Sequence, residues 1–408
     1  MIQIKPIVNT NITCASCGKG NLESKGIIYQ GVHAFYDAVC ENCKEEIIAT
    51  VPIRQAILQP YQLKKANAAI IQGENVDWIT GPAMSMLKNP ISTPIQLNIE
   101  KRTEGKKKAI IVNTLDNCYG HSLLHYFNLQ NIIEKKGEYA VIVIIQPFLK
   151  WLLPVEGVDE VWTAQVSFAQ MKDYYEDLNN QLNLQSERFE EVQLSHAHLN
   201  PTDIDISKYS KIPVFDFENP PTKPRLTFVW REDVNRFWVK SYWIYGGMRK
   251  LGIANLLFPL HYLRILIFLY RLHFKFKDKY EITLAGLGKM GWFPSFVHDA
   301  RVEKFNKETE IRTTEIYAES ELIVGVHGSS MILPSAHAGM TISIMPLKRW
   351  GNFAEDILFV ENDVRLASFQ RRIIPMNTSI LETSDICSNM LINRSYFIKK
   401  FIYDKNVL

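Results

Sequence analysis

The 408-residue sequence predicts an α/β protein: two facing doubly wound, Rossmann-like domains preceded by a small zinc ribbon. Three observations carry that expectation. Four cysteines fall in two C-x-x-C pairs within the first 43 residues. Apolar runs of strand length alternate with helix-patterned stretches in two successive series. Between the series lies ENPPTKPR (218–225), with three prolines in eight residues. The implied boundaries are 1–58 for the ribbon, 59–222 for the first α/β domain and 223–375 for the second.

Length and composition agree with this organisation. A single core rarely exceeds about 250 residues, so 408 residues divide into two or three domains. With 47% hydrophobic and 22% charged residues the chain belongs with globular proteins, which excludes a disordered or fibrous one. Its 46 basic and 43 acidic residues leave a net charge of +3, too little to indicate nucleic acid. MIQIKPIVNT lacks the charged start and apolar run of a secretory signal, so a cytoplasmic location is expected.

The ribbon comes first in the chain. In a reducing compartment Cys14-x-x-Cys17 and Cys40-x-x-Cys43 are metal ligands rather than disulfide partners, because two such pairs complete the four-sulfur tetrahedron that structural zinc prefers. With every position taken by sulfur there is no place for a reactive water, so the ion is structural. Gly18 permits the turn that aims backbone amides at the sulfurs. Cys118 and Cys387 stand alone, and His33, between the two pairs, reads as a surface or packing residue.

Residues 59–100 read as mixed structure, with turns at Gly81-Pro82 and Asn89-Pro90. After the basic run KRTEGKKK, residues 109–112 read as a strand buried on both faces. Leu123, Leu124, Phe127, Ile132 and Ile133 have helical spacing over 122–135, and Gly137 supplies a stop. AVIVIIQ (140–146) and VDEVWTA follow as strands, and strand, helix, strand at this spacing implies a parallel sheet. Beyond the prolines the pattern restarts with LTFVW (226–230), YEITLAG (280–286), ELIVGV (321–326) and TISIMP (341–346).

Ligands of doubly wound folds sit beyond the carboxyl ends of the strands, so the residues that follow each strand are the candidates. Gly286-x-Gly288-x-x-Gly291 matches the dinucleotide fingerprint, but that motif needs a helix from its second glycine, where Trp292-Phe293-Pro294 places a proline. These glycines read instead as a loop bordering a cleft. Arg231 follows one strand with a permanent charge and a planar fork for phosphate oxygens. His327-Gly328-Ser329-Ser330 follows another, with small residues and backbone amides at the start of a predicted helix. Together they suit a diphosphate. Asp116 through Ser122 forms a polar loop at the mouth of a helix, with Asp116 and His121 as its candidate acid–base groups. Pairing of Arg231 with Glu232 or Asp233, and an ordinary loop role for His121, are the plainer alternatives.

NCYGHSLLHYF (117–127) and ESELIVGVHGSSMILPSAHAGMTISIMP (319–346) resemble the two signature regions of glycosyltransferase family sixty-one. The resemblance covers roughly residues 105–350 and departs from the family at Gly328-Ser329-Ser330-Met331, at Leu333 and at His125. It implies a GT-B fold, a nucleotide-sugar donor on the C-terminal half, an acceptor on the N-terminal half, inversion at the anomeric carbon and no catalytic metal. On that basis His121 is the expected base, with Asp116 as its orienting partner or substitute. Arg231, Gly286, Gly288, His327, Gly328, Ser329 and Ser330 would contact the donor, and Asn117, Tyr119 and Gly120 would lie on the acceptor side. The acceptor would be a glycan or a lipid-linked glycan of cell-surface polysaccharide synthesis. Residues 376–408, amphipathic over 380–403, would form a helix returning to the N-terminal domain, as in that family.

LLFPLHYLRILIFLYRLHFKFK (256–277) is strongly apolar, with His261, Arg264, Arg271 and Lys275 on one narrow helical stripe. Two expectations stand side by side: a helix lying on a membrane surface, at the inner face of the membrane, or a helix buried between domains. A competing class is a zinc ribbon that tethers a nucleotide-binding α/β body to nucleic acid or protein. Its support is the ribbon and KRTEGKKK, but no basic and aromatic alternation accompanies them, so nucleic acid is not expected.

Overall fold

Strand β8 (Lys108–Asn113) is apolar throughout its middle because neighbours cover both of its faces. It lies inside a six-stranded sheet in a computed structural model that describes residues 1–8, 12–31, 33–57, 59–73, 77–154, 156–196, 204–233, 237–353, 358 and 363–401. The chain forms two units, Met1–Asn200 and Pro201–Leu408.

In the first unit β1 (Ile2–Lys5) precedes an antiparallel meander of β2 (Leu22–Tyr29), β3 (Ala34–Cys40), β4 (Glu46–Thr50), β5 (Gln62–Lys64) and β6 (Ile70–Gln72). Then come α1 (Asp77–Lys88), β7 (Leu97–Lys101), β8, α2 (Tyr119–Phe127), α3 (Leu129–Lys135), β9 (Ala140–Ile145), β10 (Glu160–Ala164), α4 (Glu176–Ser186) and β11 (Glu191–Leu194). The larger sheet has the order β1-β11-β8-β9-β10-β7, parallel through its four central strands and antiparallel at both edges. The predicted helix over 122–135 is broken at Asn128 into α2 and α3, and α1 runs through the expected Gly81-Pro82 turn.

The expected ribbon, 1–58, differs from the observed element in three ways. Ile2–Lys5 joins the doubly wound sheet, the small sheet extends to Gln72, and its apolar face shares one core with the large sheet, where Cys14, Cys40 and Ile47 cluster with Ile111, Ile144 and Trp162. Tyr29 N–H donates to Asn179 Oδ1 of α4 at 2.9 Å, and Asn183 Nδ2 donates to Ile27 O at 3.0 Å. The small sheet is therefore part of this unit's core. The basic run over 101–108 is tied to acids: Lys106 to Asp159 (3.2 Å), Lys107 to Glu190 (2.8 Å) and Lys108 to Glu138 (2.6 Å).

The second unit contains α5 (Ser207–Ser210), β12 (Arg225–Arg231), α6 (Tyr242–Lys250), α7 (Phe258–Phe276), β13 (Glu281–Leu287), β14 (Val297–Val302), α8 (Lys307–Ala318) and β15 (Ser320–Val326). It closes with α9 (Ile332–His337), β16 (Met340–Met345), α10 (Val364–Gln370), β17 (Arg371–Pro375) and α11 (Ile380–Phe401). Its sheet, β14-β13-β12-β15-β16-β17, is parallel throughout. The division between the units falls before the proline-rich stretch rather than within it. Residues 206–217 belong to the second unit because Ser210 Oγ lies 2.8 Å from His337 Nε2 and Phe215 N–H donates to His337 O at 2.8 Å. Helix α11, expected to return to the first domain, packs on α7, α10 and β15 and buries Cys387, Met390 and Leu391 in the second unit's core. Residues 402–408 of the expected segment lie outside the described residues.

Each sheet has a switch point, where successive connections leave in opposite directions and the strand ends open a crevice. In the first unit it lies between β8 and β11, and in the second between β12 and β15.

Candidate functional site

At the first switch point the chain leaves β8 in a turn pinned by Thr114, whose N–H and Oγ1 both donate to Ile144 O, at 3.0 and 2.8 Å. The turn delivers Asp116, fully buried, beneath the start of α2. Asp116 Oδ1 accepts from Cys118 N–H at 2.9 Å and lies 3.3 Å from His121 Nδ1, and its Oδ2 lies 3.7 Å from His125 Nε2. His121 and His125 are four residues apart, so they share a helix face and straddle the carboxylate. Burial pushes the Asp116 carboxyl up, but the hydrogen bonds and charges of the two histidines outweigh it and hold the group well below the usual carboxylate range. An ionised Asp116 on Nδ1 fixes the imidazole tautomer that presents Nε2 as a proton acceptor. His121 is 35% exposed, which lets it meet a ligand, whereas His125 is 1% exposed.

Two groups that the sequence did not mark as part of the site come from the connections of the small sheet. Arg54 follows β4 in a left-handed backbone conformation (φ 56°), held by its N–H donating to His196 O at 2.8 Å. Its buried guanidinium donates to Leu115 O at 2.9 Å and to Asn113 O, the carbonyls that flank the Asp116 turn. Burial lowers Arg54 to about 10, against the opposing charge of Asp116, so it stays cationic at neutral pH. His33 begins β3's approach and is buried, a packing rather than a surface residue, and burial followed by the Arg54 charge pushes it down to about 4. Of the expected acceptor-side residues, Asn117 is exposed, Gly120 is buried and Tyr119 is half-buried. The Tyr119 ring packs at 6.0 Å on Phe168, which in turn lies 4.0 Å from Phe148. Phe148 and Phe168 follow β9 and β10, so three half-buried rings line the carboxyl edge of the sheet beside His121.

The four cysteines converge. Cys14 Sγ lies 3.8 Å from Cys43 Sγ and Cys17 Sγ 3.6 Å from Cys40 Sγ, and all four sulfurs lie within 4.8 Å of one another. A sulfur tetrahedron around an ion at ~2.3 Å has edges of about 3.8 Å, so the set fits a metal. The Lys19 amide, the Asn42 side chain and the Gly20 amide hold the Cys17 thiol down at about 6, favouring thiolate. A Cβ at Gly20 would sit 2.6 Å from Cys40 Sγ, so only glycine lets the loop close on the sulfurs.

At the second switch point the expected residues divide. Arg231, at the end of β12, lies 3.4 Å from Asp233, the plainer of its two sequence readings. Gly286 and Gly288 stand where a side chain would not fit: a Cβ would meet Trp230 O at 2.3 Å and the Glu232 carboxyl carbon at 2.1 Å. Strand β14, not a helix, follows their loop, so the dinucleotide motif is absent in structure as well. His327, fully buried, continues β15 with its N–H donating to Ile344 O at 2.9 Å. Gly328 then turns the chain at φ 148°, where a side chain would be strained, and Ser329–Met331 forms a single tight turn before α9. The predicted helix is present as α9, six residues long, and ends at His337. Ser330 Oγ is enclosed with no hydrogen-bond partner among the described residues, an orphan that a ligand oxygen would satisfy.

No protein-family model matches the chain, and no curated protein matches it. Among solved structures, the ADP-heptose lps heptosyltransferase II of E. coli aligns with 70% of this chain and 99% of its own, at 8% identity and a TM-score of 0.39. The Glycosylation Associate Protein (Gap123) complex of Streptococcus agalactiae aligns with 91% of this chain and 65% of its own (11% identity, TM-score 0.29). The pneumococcal O-GlcNAc transferase GtfA, solved with UDP and GlcNAc, aligns with 90% and 63% (10% identity, TM-score 0.26). Similarities at this level carry no inference about the chemistry of this chain, which rests on its own residues.

Proposed function

We propose that the protein is a glycosyltransferase that moves a sugar, with inversion, from a nucleotide-sugar donor held by the second unit to a glycan or lipid-linked acceptor held by the first. The observation that supports this most strongly is the pair of switch-point sites: a buried carboxylate gripping a half-exposed histidine in one unit, and a glycine-serine turn with an orphaned hydroxyl in the other. His121 Nε2 takes the proton of the attacking acceptor hydroxyl while Asp116 stabilises the imidazolium that forms. The acceptor oxygen bonds to the anomeric carbon as the bond to the nucleoside diphosphate breaks. The amides after Gly328, and Ser329 and Ser330, meet the departing diphosphate, with buried His327 shaping the pocket behind them and Arg231 turning from Asp233 to its charge. Tyr119, Phe148 and Phe168 offer a platform for the acceptor's apolar ring face. No metal takes part in this step, and the ion of the four-cysteine site, assigned as zinc, is structural. Membership of glycosyltransferase family sixty-one, its GT-B organisation, a cytoplasmic location and a role in polysaccharide synthesis belong to the same proposal.

Thermal-shift screening against UDP-, GDP-, CMP- and ADP-sugars and single-stranded nucleic acid tests it. A rise in Tm with one nucleotide-sugar class is the expected result. A response to nucleic acid alone would replace the transferase with a nucleic-acid-binding module.

A further inference from the structure

Helix α7 buries one face and leaves the other bare. His261, Ile265, Phe268, Leu269, Leu272 and Phe276 enter the second unit's core. Leu256 in the turn before it, then Leu260, Leu263, Ile267, Tyr270 and Phe274, remain 69, 51, 49, 40, 36 and 69% exposed. Alternating steps of four and three residues keep them on one continuous stripe. The polar stripe expected from the sequence is thus split: His261 is internal, its Nδ1 accepting from Trp238 N–H at 2.9 Å, and Arg264 stacks on Trp238 at 4.6 Å, while Arg271 and Lys275 stay outside.

Neighbouring segments add two exposed tryptophans, Trp243 of α6 (87%) and Trp292 after β13 (74%). The Trp292 loop is rigidly supported. Arg301 donates to Met290 O (2.5 Å) and Gly291 O (3.0 Å), and Tyr262 of α7 donates to Trp292 O. Exposure of Trp292 is built into the fold, not a loose end. Charge is concentrated in the same segment. Residues 240–279 contain eight Lys or Arg and one acid, Asp278, out of 46 basic and 43 acidic residues in the chain, so the remainder of the protein is net acidic. Lys275 lies 3.4 Å from Asp385, but Lys240, Arg249, Lys250, Arg271, Lys277 and Lys279 are exposed.

We propose that the bare face of α7, with Trp243, Trp292 and its cationic rim, docks the protein on an anionic lipid surface. The helix lies along the headgroup layer rather than crossing it. By length and apolarity Ala254–Lys279 could span a bilayer, but its inner face is built into the core against β13 and α11. Interfacial tryptophans and a basic rim are the features that anchor amphipathic helices at such surfaces. A second copy of the chain fits less well, because a two-fold pairing of this face would set two cationic rims against each other. The surface is independent of the sugar-transfer chemistry and is tested without it.

The test is flotation of the full-length, metal-loaded protein with phosphatidylcholine vesicles, with and without phosphatidylglycerol, alongside light scattering for oligomeric state. Expected is flotation with the anionic vesicles, weakened by salt, and lost about tenfold or more when Leu260→Glu and Leu263→Glu put charges on the stripe. Both positions are exposed, so circular dichroism and Tm should stay at wild-type values. Arg249→Glu with Lys250→Glu should abolish the preference for anionic over neutral vesicles. Absence of flotation by folded wild-type protein overturns the proposal. So does a dimer that Leu260→Glu and Leu263→Glu convert to monomer without any vesicle binding, which would assign the face to a second copy.

Discussion

Replacing Arg54 by Met tests whether the small sheet supports the Asp116 site. The substitution keeps most of the buried stem and removes the donors to Leu115 O and Asn113 O, together with the cation whose charge Asp116 opposes in burial. Two orphaned carbonyls cost about 1–3 kcal/mol each, roughly 2–6 in all. Removing one member of a buried charged group costs ~3–5 kcal/mol by independent measure, so about 3 kcal/mol is expected. Because the chain has two units, a single unfolding free energy is ill-defined. Hydrogen exchange on peptides covering β8 and residues 113–118 reads the local effect, and 3 kcal/mol corresponds to exchange about 150-fold faster. Arg54→Lys, which keeps the charge with fewer donors, should fall between. In an Asp116→Asn background the cost should shrink by at least about 1 kcal/mol, as for any directly coupled pair. Acceleration below about fivefold, or strict additivity with Asp116→Asn, would show that Arg54 merely fills space.

Three further outcomes follow from the same geometry. Chelating the metal, or Cys40→Ser, should speed exchange in β3, β4 and 108–116 together, because Cys14 and Cys40 share the core of the large sheet; elemental analysis should give one zinc per chain. His261 and His337 are buried and pushed down by burial to about 4 from an ordinary 6.5. The folded state therefore favours their neutral forms, and the second unit keeps its full stability above pH ~6.5 and loses it as pH falls toward 4, by about 3 kcal/mol per histidine, a loss that His337→Gln should roughly halve in denaturant titrations. Asp116→Asn, which removes the charge that orients His121, should lower kcat by about 10²–10⁴-fold with little change in donor-induced Tm rise.

The central strands were legible because burial on both faces writes an unbroken apolar run. Strands β8, β9, β12, β13, β15 and β16 each fall where such a run lies. Edge strands were not: VHDARV (β14) and RRIIP (β17) mix charged and apolar residues because one side of each meets solvent or a loop. Asp116 and His121 could be found because they follow a strand directly, and the sheet order then places them at a switch point. His33 and Arg54 could not, because an antiparallel meander carries them to the Asp116 turn across some 60–80 residues of sequence, a long-range register that no local pattern encodes. The spacing of His121 and His125 was visible, but its meaning depended on the carboxylate between them. The close approach of Trp230 and Glu232 to Gly286 and Gly288 was not legible either, because it depends on neighbours far from them in sequence.

The central claim is that His121, held by Asp116, deprotonates an acceptor hydroxyl during sugar transfer. It is tested most directly by following nucleoside diphosphate release from the nucleotide-sugar identified by thermal shift, for wild-type protein, His121→Ala and His121→Gln at equal metal content. The account predicts turnover that falls by about 10²–10⁴-fold in both variants while each still shows the donor-induced rise in Tm. Near-normal turnover in His121→Ala and His121→Gln would contradict it.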